Sequence, residues 1–209
     1  MQYRILYRPS FAIAHVQLDA NDVLRAILDA PKLSAGGCTG VTFDLMRAAL
    51  LDDAQLRGLA AAALQRMVDG RIPDDVLPLL ADSRLIALNK KTGGVRPIAI
   101  GEALRRLAAR ATLKHVRDAV DAHFAPNQVG VGLRNGAEAL FHSAAAFADQ
   151  HPDHVCLQLD FTNAFNRVCR KAMFEALMEH PVLCGLVPFV RCFYIGAPSL
   201  WLEIGRAHV

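Results

Sequence analysis

The side chains with the clearest chemical potential are one aspartate and a run of basic residues. Asp160 ends an apolar, β-prone run that begins at Val155. A carboxylate at the end of a strand can cap the following helix or bind a divalent cation, and taken alone the cap is the commoner role. Residues 82–118 hold nine Lys and Arg side chains against three acidic ones, which predicts either a surface for a polyanion or a solvated helix face with a basic hairpin. The basic residues are Arg84, Lys90, Lys91, Arg96, Arg105, Arg106, Arg110, Lys114 and Arg117.

The elements that carry these basic residues follow from the local pattern. Two β-prone runs, residues 84–88 and 95–100, flank the polar, glycine-bearing stretch 89–94, which predicts a β-hairpin with a basic tip. Residues 102–123 place apolar side chains on one side and arginines on the other, so we expect a long amphipathic helix closed by Pro126. Its apolar side would hold Leu104, Leu107, Ala111 and Val116.

The first third of the chain predicts a short strand at residues 1–7 and a helix at residues 21–28. Thr42 is a candidate N-cap for a second helix, and a third opens after Asp53 and stops at Gly70. We expect the apolar positions of these two helices to face the core. They are Phe43, Met46, Leu56, Leu59, Leu64 and Met67.

The last third of the chain alternates helical and β-prone patterns. It predicts helices at residues 137–150, 170–179 and 183–193 and strands at residues 155–160 and 198–203. In the strand at residues 155–160, Val155, Leu157 and Leu159 would share one face, and Cys156, Gln158 and Asp160 the other. Asp160 would therefore leave the sheet opposite the apolar side.

Composition limits the classes of protein that are possible. The chain has 209 residues, 53% of them hydrophobic, and a formal net charge of +3, which is enough apolar material for a buried core. Its five cysteines are scattered, so neither a disulfide framework nor a zinc site is indicated and we expect an intracellular, reducing compartment. No apolar stretch approaches the length of a membrane span, so we expect no membrane partner.

Three segments together resemble the reverse transcriptases of non-LTR retrotransposons. Residues 155–166 (VCLQLDFTNAFN) are similar to the first palm motif, in which an aspartate ends a strand and an Ala-Phe pair follows. Residues 85–98 (LIALNKKTGGVRPI) resemble the fingers hairpin, and residues 128–132 (QVGVG) resemble the loop between the two. The order and spacing match the family, and the likeness covers most of residues 42–203.

The resemblance implies an α/β (α+β) chain with the fold of a right-hand polymerase, namely helical fingers with a β-hairpin and an incomplete palm. Residues 1–41 would be an upstream segment, residues 42–150 the fingers region and residues 151–203 part of the palm. Residues 204–209 (IGRAHV) can be back-translated to ATC GGA AGA GCA CAC GTC, which matches a sequencing adapter. We therefore expect the natural sequence to end near Glu203 and residues 204–209 to be sequencing-adapter read-through.

The resemblance also implies catalytic residues for RNA-templated DNA synthesis. Asp160 would bind two Mg²⁺ ions, which lie roughly 3.5 to 4 Å apart in such sites, and the carbonyl of Phe161 would add a ligand to one of them. The family continues with a Gln-Gly motif and an Ala-Asp-Asp turn that supplies the remaining carboxylate, and neither follows residues 198–203. We therefore expect the chain by itself to be inactive.

The remaining implied site residues bind nucleotide and nucleic acid. Phe165 would be the gate that selects deoxynucleotides, or else a core residue. Arg96 and one of Lys90 and Lys91 would grip the triphosphate, although a solvated turn also explains the lysines. An RNA template with its primer would contact the long helix and the loop after it. The residues concerned are Arg105, Arg106, Arg110 and Gln128, the last of which could equally be a turn residue.

Other kinds of site fit the sequence poorly. Residues 130–136 have one residue too many for a dinucleotide-binding glycine motif. His151 and His154 fall in a short polar connection with Pro and Asp, which is typical of an exposed turn rather than a metal site. Two competing functions stay open: a non-catalytic nucleic-acid-binding remnant of a polymerase-like element, and a helical interaction domain.

Overall fold

The chain is an α+β protein, as the sequence predicts. A computed structural model describes residues 15–89, 91, 93–131, 133–162 and 164–202, with only the backbone at Phe165. The predicted strand at residues 1–7, Lys90 and the tail at residues 204–209 lie outside the described residues. In chain order the elements are α1 (Ala20–Leu28), α2 (Phe43–Leu50), α3 (Ala54–Val68), α4 (Leu77–Ala81), β1 (Ser83–Asn89), β2 (Val95–Gly101), α5 (Ala103–Phe124), α6 (Gly136–Gln150), a 3₁₀ turn (Ala164–Arg167), α7 (Arg170–Glu179), α8 (Pro181–Cys184), α9 (Val187–Tyr194) and β3 (Leu200–Leu202).

Side-chain caps start the first helices where the sequence predicts. Thr42 Oγ1 accepts a hydrogen bond from Leu45 N at 3.2 Å, which confirms it as the N-cap of α2. The carboxylate of Asp53 accepts from Leu56 N at 2.8 Å at the start of α3. Each cap satisfies one of the backbone donors that a helix leaves unpaired at its first turn. Gly70, with φ of 71°, follows α3 in the left-handed conformation that ends many helices.

The main core forms where α1, α2, α3 and α5 pack together. Val23, Phe43, Leu64 and Leu107 are almost completely buried in it, and Phe193 of α9 joins them. The core therefore combines residues from all three segments that the sequence suggests, including α1 in the stretch assigned upstream of the fingers. The helices at residues 21–28, 102–123, 137–150 and 170–179 are confirmed.

Two predicted core positions on α3 are wrong. Leu59 is 63% exposed and Leu56 is also exposed, whereas Leu64 and Met67 are buried as predicted. Leu59 lies five residues before Leu64, which on a helix with about 100° per residue places it about 140° away around the axis. Leu104 of α5 is likewise exposed, although Leu107, Ala111 and Val116 are buried.

The predicted hairpin is confirmed, and it acquires a third strand. β1 pairs antiparallel with β2 in a register that runs from Ser83 opposite Gly101 to Asn89 opposite Val95. β3, the described part of the strand predicted at residues 198–203, pairs in parallel with the other edge of β1. The hairpin sequence alone contains no signal for this pairing, because β3 lies about a hundred residues further along the chain.

The predicted strand at residues 155–160 is wrong. The segment makes no backbone hydrogen bond to any other described residue. Val155 is 94% exposed and Leu157 79%, so no apolar face is covered. A strand requires a neighbour to pair its N–H and C=O groups, and no described segment lies alongside this one.

The predicted helix at residues 183–193 is in fact two helices, α8 and α9. Pro188 lies at the start of α9. In one continuous helix it would lack the N–H that pairs with the carbonyl of Cys184, and its ring would clash with that turn. The sequence does not predict α4, since five residues are too few for a periodic pattern. No helix in the described part of the chain is both long enough and apolar enough to span a membrane.

Candidate active site

Asp160 borders an open hollow of about 420 Å³ on the protein surface. The 3₁₀ turn begins four positions after Asp160, and Arg167 at its end lines the same hollow. Phe161 also lines the hollow and is 72% exposed. Thr162 and Ala164 are the other described residues that line it. A carboxylate and a guanidinium at one open surface offer opposite charges to a bound group.

Arg167 is the residue of this hollow that sequence reasoning missed. It is exposed and makes no hydrogen bond or ion pair with another described residue, so its five donors are available to a ligand. In the sequence, Arg167 could have been singled out because it lies seven residues after Asp160, close enough for a short turn to bring the two side chains to one surface. A planar guanidinium suits the paired oxygens of a phosphate.

The hollow does not provide a complete metal site. Among the described residues, no group of three or more His, Cys, Asp and Glu side chains could hold a metal ion. Asp160 is the one carboxylate among the described lining residues, and the carbonyl of Phe161 could add a second oxygen. Mg²⁺ demands about six oxygen ligands, several of them waters, so these residues do not fit two ions by themselves. The side chain of Phe165, the predicted gate, lies outside what the structure describes.

The hairpin presents free basic groups, as predicted. Arg96 in β2 is exposed, and so is Lys91 in the connecting loop. Neither makes a hydrogen bond or ion pair with another described residue, so both charges face solvent. Gly93 and Gly94 adopt φ values of 87° and 85°, which glycine tolerates without strain and which allow the loop to turn beside Lys91.

Arg105 of α5 already has partners within the chain. Arg105 donates to the carbonyl of Ala81 at 2.7 Å and to Ser83 Oγ at 3.1 Å, and its guanidinium lies 5.4 Å from the ring centroid of Phe193. Burial lowers the pKa of Arg105 from its ordinary value, and the charges of Tyr194 and Glu102 oppose the decrease. Arg105 thus joins α5 to the start of the sheet.

Arg106 and Arg110 connect α5 to the segments before it. Arg106 donates to Ser34 Oγ at 2.9 Å and to the carbonyl of Ala35 at 2.7 Å, and it lies 4.6 Å from the ring centroid of Phe43. Arg110 lies over the same ring at 5.7 Å. Their contact with a template stays a prediction, and in the structure these guanidinium groups are engaged in intramolecular contacts.

Gln128 acts as a turn residue in this structure. Its Oε1 accepts a hydrogen bond from Gly130 N at 2.8 Å, so the side chain closes the loop locally. This contact matches the second of the two roles that the sequence allows. Template binding through Gln128 stays a prediction.

Two acidic residues that sequence reasoning did not single out position these basic elements. The buried carboxylate of Glu102, just before α5, accepts from Thr39 N at 3.0 Å and Thr39 Oγ1 at 2.6 Å. Asp82, just before β1, accepts from Ser199 N and Trp201 Nε1, both at 2.8 Å, and so holds β3 against the hairpin. In the sequence, both could have been singled out as acidic residues within a stretch that is otherwise basic.

The structure brings Asp160, Phe161 and Arg167 to one surface, but Lys91 and Arg96 do not line that hollow. A scan against protein-family models and a search of curated proteins found no match to this chain.

Proposed function

We propose that the chain is the fingers and first palm segment of a reverse transcriptase, which in the parent protein copies an RNA template into DNA. The observation that carries the proposal is the hairpin. β1 and β2 pair over seven residues each, and the loop between them leaves the charges of Lys91 and Arg96 without a partner among the described residues. A rigid pair of strands with free cations at its tip is suited to hold a polyphosphate.

The chemistry of phosphate binding favours this assignment of Arg96. A guanidinium can donate two parallel hydrogen bonds to phosphate oxygens, and such charge-assisted bonds are about twice as strong as neutral ones. Because Arg96 lies within a paired strand, its backbone is already ordered and little backbone entropy is lost on binding. Lys91, in the loop, would add a point charge that adapts to the ligand.

Asp160 would supply one of the carboxylates that a polymerase uses to hold Mg²⁺. The described residues around it do not complete the coordination of an ion. The remaining ligands would therefore come from other parts of the parent enzyme, and this chain alone would catalyse no step. When bound, the ions would supply charge for phosphoryl transfer. Arg167, across the hollow, would be available to the pyrophosphate or to a template phosphate.

A binding titration tests the role of the hairpin without requiring catalysis. A fluorescent deoxynucleoside triphosphate should bind the chain, and Arg96→Ala should weaken binding by roughly ten- to a hundredfold, since a hydrogen-bonded charge contributes about 1.5 to 3 kcal/mol. Arg71→Ala is the matched control, because Arg71 is equally basic, with 77% of its side chain exposed, and lies outside the hairpin. Equal affinity of both variants would contradict the proposal.

A non-catalytic nucleic-acid-binding remnant is the second candidate. The incomplete set of metal ligands among the described residues favours it. Primer extension by the parent protein separates the two, because Asp160→Ala should abolish extension by an enzyme while leaving template binding intact. A parent that binds a primed template but never extends it would be the remnant.

A further inference from the structure

We propose that residues 154–160 form an antiparallel β-ribbon with the same residues of a second copy of this chain. The motivating observation is the unpaired segment itself. From Val155 to Asp160 no backbone N–H or C=O bonds to another described residue, although the segment alternates apolar and polar side chains as a strand does. A β-prone segment whose backbone groups are unpaired can pair with another strand.

The sequence of the segment is complementary to itself in one antiparallel register. With Leu157 opposite its own copy, Val155 faces Leu159 and Cys156 faces Gln158. The ends then place His154 opposite Asp160, and a histidine can donate a hydrogen bond to a carboxylate. Because the relation is two-fold, the dimer would contain each pair of different residues twice and the Leu157 pair once.

The alternation of the strand gives the ribbon two different faces. Val155, Leu157 and Leu159 of both copies would share one face, and all three are now largely exposed, at 94%, 79% and 69%. Pairing would bring these six side chains together and remove much of their apolar surface from water. The pairs that contain His154, Cys156, Gln158 and Asp160 would lie on the opposite, polar face.

The side chains at the two ends of the segment are free to make this contact. His154 Nδ1 lies 3.2 Å from Asp153 Oδ1, which leaves its Nε2 without a partner among the described residues. Asp160 also has no hydrogen bond or ion pair with a described residue. The two groups therefore have capacity to bond across a ribbon. A shift of one residue in register would instead pair His154 with Leu159, which loses the complementarity.

The inference does not rest on the proposed function, and its test uses neither nucleotide nor metal. Sedimentation velocity of the whole chain over a range of concentrations should show a monomer–dimer equilibrium. Leu157→Lys should weaken association at least tenfold, because two ammonium groups would face each other at the two-fold axis. Val168→Lys, at an exposed valine outside the segment, should leave the equilibrium unchanged.

Cysteine cross-linking tests the register. In a background in which the exposed cysteines Cys38, Cys156 and Cys169 are replaced by serine, Leu157→Cys places two thiols directly opposite each other, and diamide, which takes up their two hydrogen atoms, should link the chains. Leu159→Cys is the matched control, since its copies would be four residues out of register, about 13 Å apart and beyond the roughly 7 Å between Cα atoms that a disulfide spans. A chain that stays monomeric at every concentration overturns the proposal, and so does equal cross-linking at both positions.

Discussion

Replacing Arg106 with alanine should destabilise the folded chain by roughly 2 to 3 kcal/mol, because its guanidinium joins α5 to the loop that precedes α2. Two hydrogen bonds, to Ser34 Oγ and the carbonyl of Ala35, are lost. At a half-buried site each contributes about 1 kcal/mol, and the contact with the ring of Phe43 adds about 0.5 to 1 kcal/mol. In a chain of this size the melting temperature should fall by roughly 5 to 10 °C.

Urea denaturation monitored by circular dichroism measures the change. Arg106→Lys keeps the charge but lacks the planar fork, so most of the loss should persist in that variant. Arg117→Ala is the matched control on the same helix, since Arg117 is exposed and makes one i,i+4 pair with Asp121 at 3.6 Å. The control should change the free energy of unfolding by less than about 0.5 kcal/mol.

The result also bears on the predicted template contact of Arg106. If Arg106→Ala changes the free energy of unfolding by less than about 0.5 kcal/mol, the structural role is refuted, because the contacts of Arg106 would then contribute no more than an ordinary surface residue does. Affinity for a primed template should be compared in the same variants. If Arg106→Lys binds the template normally while remaining unstable, the guanidinium acts in folding rather than in phosphate recognition.

Three further outcomes follow from particular contacts. Leu64→Ala should cost about 2 to 5 kcal/mol of unfolding free energy in a denaturant titration, whereas Leu59→Ala on the exposed side of α3 should cost less than about 0.5 kcal/mol, and similar losses would contradict the burial described. Asp82→Ala should release β3 and lower the fluorescence anisotropy of Trp201, the single tryptophan, because its indole N–H loses its acceptor, and an unchanged anisotropy would show that the strand is held without that carboxylate. Asp19 is the N-cap of α1, and hydrogen bonds to its carboxylate, chiefly from the backbone N–H of Asp22, hold its pKa below the ordinary 3.8. The stability that this carboxylate contributes should therefore be present above pH 3.8 and disappear as pH falls through the folded pKa. A stability difference between wild type and Asp19→Ala that persists in strong acid would oppose this.

Local signals predicted the elements that depend on neighbouring residues. The N-cap at Thr42 needs only a hydroxyl three residues before its donor, and the hairpin needs only two β-prone runs around a glycine turn. The exposed charges of Lys91 and Arg96 follow from the same pattern, because side chains at a hairpin tip have few neighbours. These parts of the candidate site were readable from the residues themselves.

Only the tertiary structure decided which surfaces those elements share. Whether a guanidinium faces solvent or another segment depends on what the fold brings near it, and Arg106 meets Ser34 across 72 positions of sequence. β3 joins β1 through Asp82, a contact that spans 119 positions. The alternation at residues 155–160 predicts a strand, yet the hydrogen bonds that define a strand come from a partner, and no described segment provides one. The sequence alone therefore determined the residues around Asp160 and the basic hairpin, while the tertiary structure decided that Arg167 rather than Lys91 or Arg96 lines the hollow at Asp160 and that the segment before Asp160 has no backbone partner among the described residues.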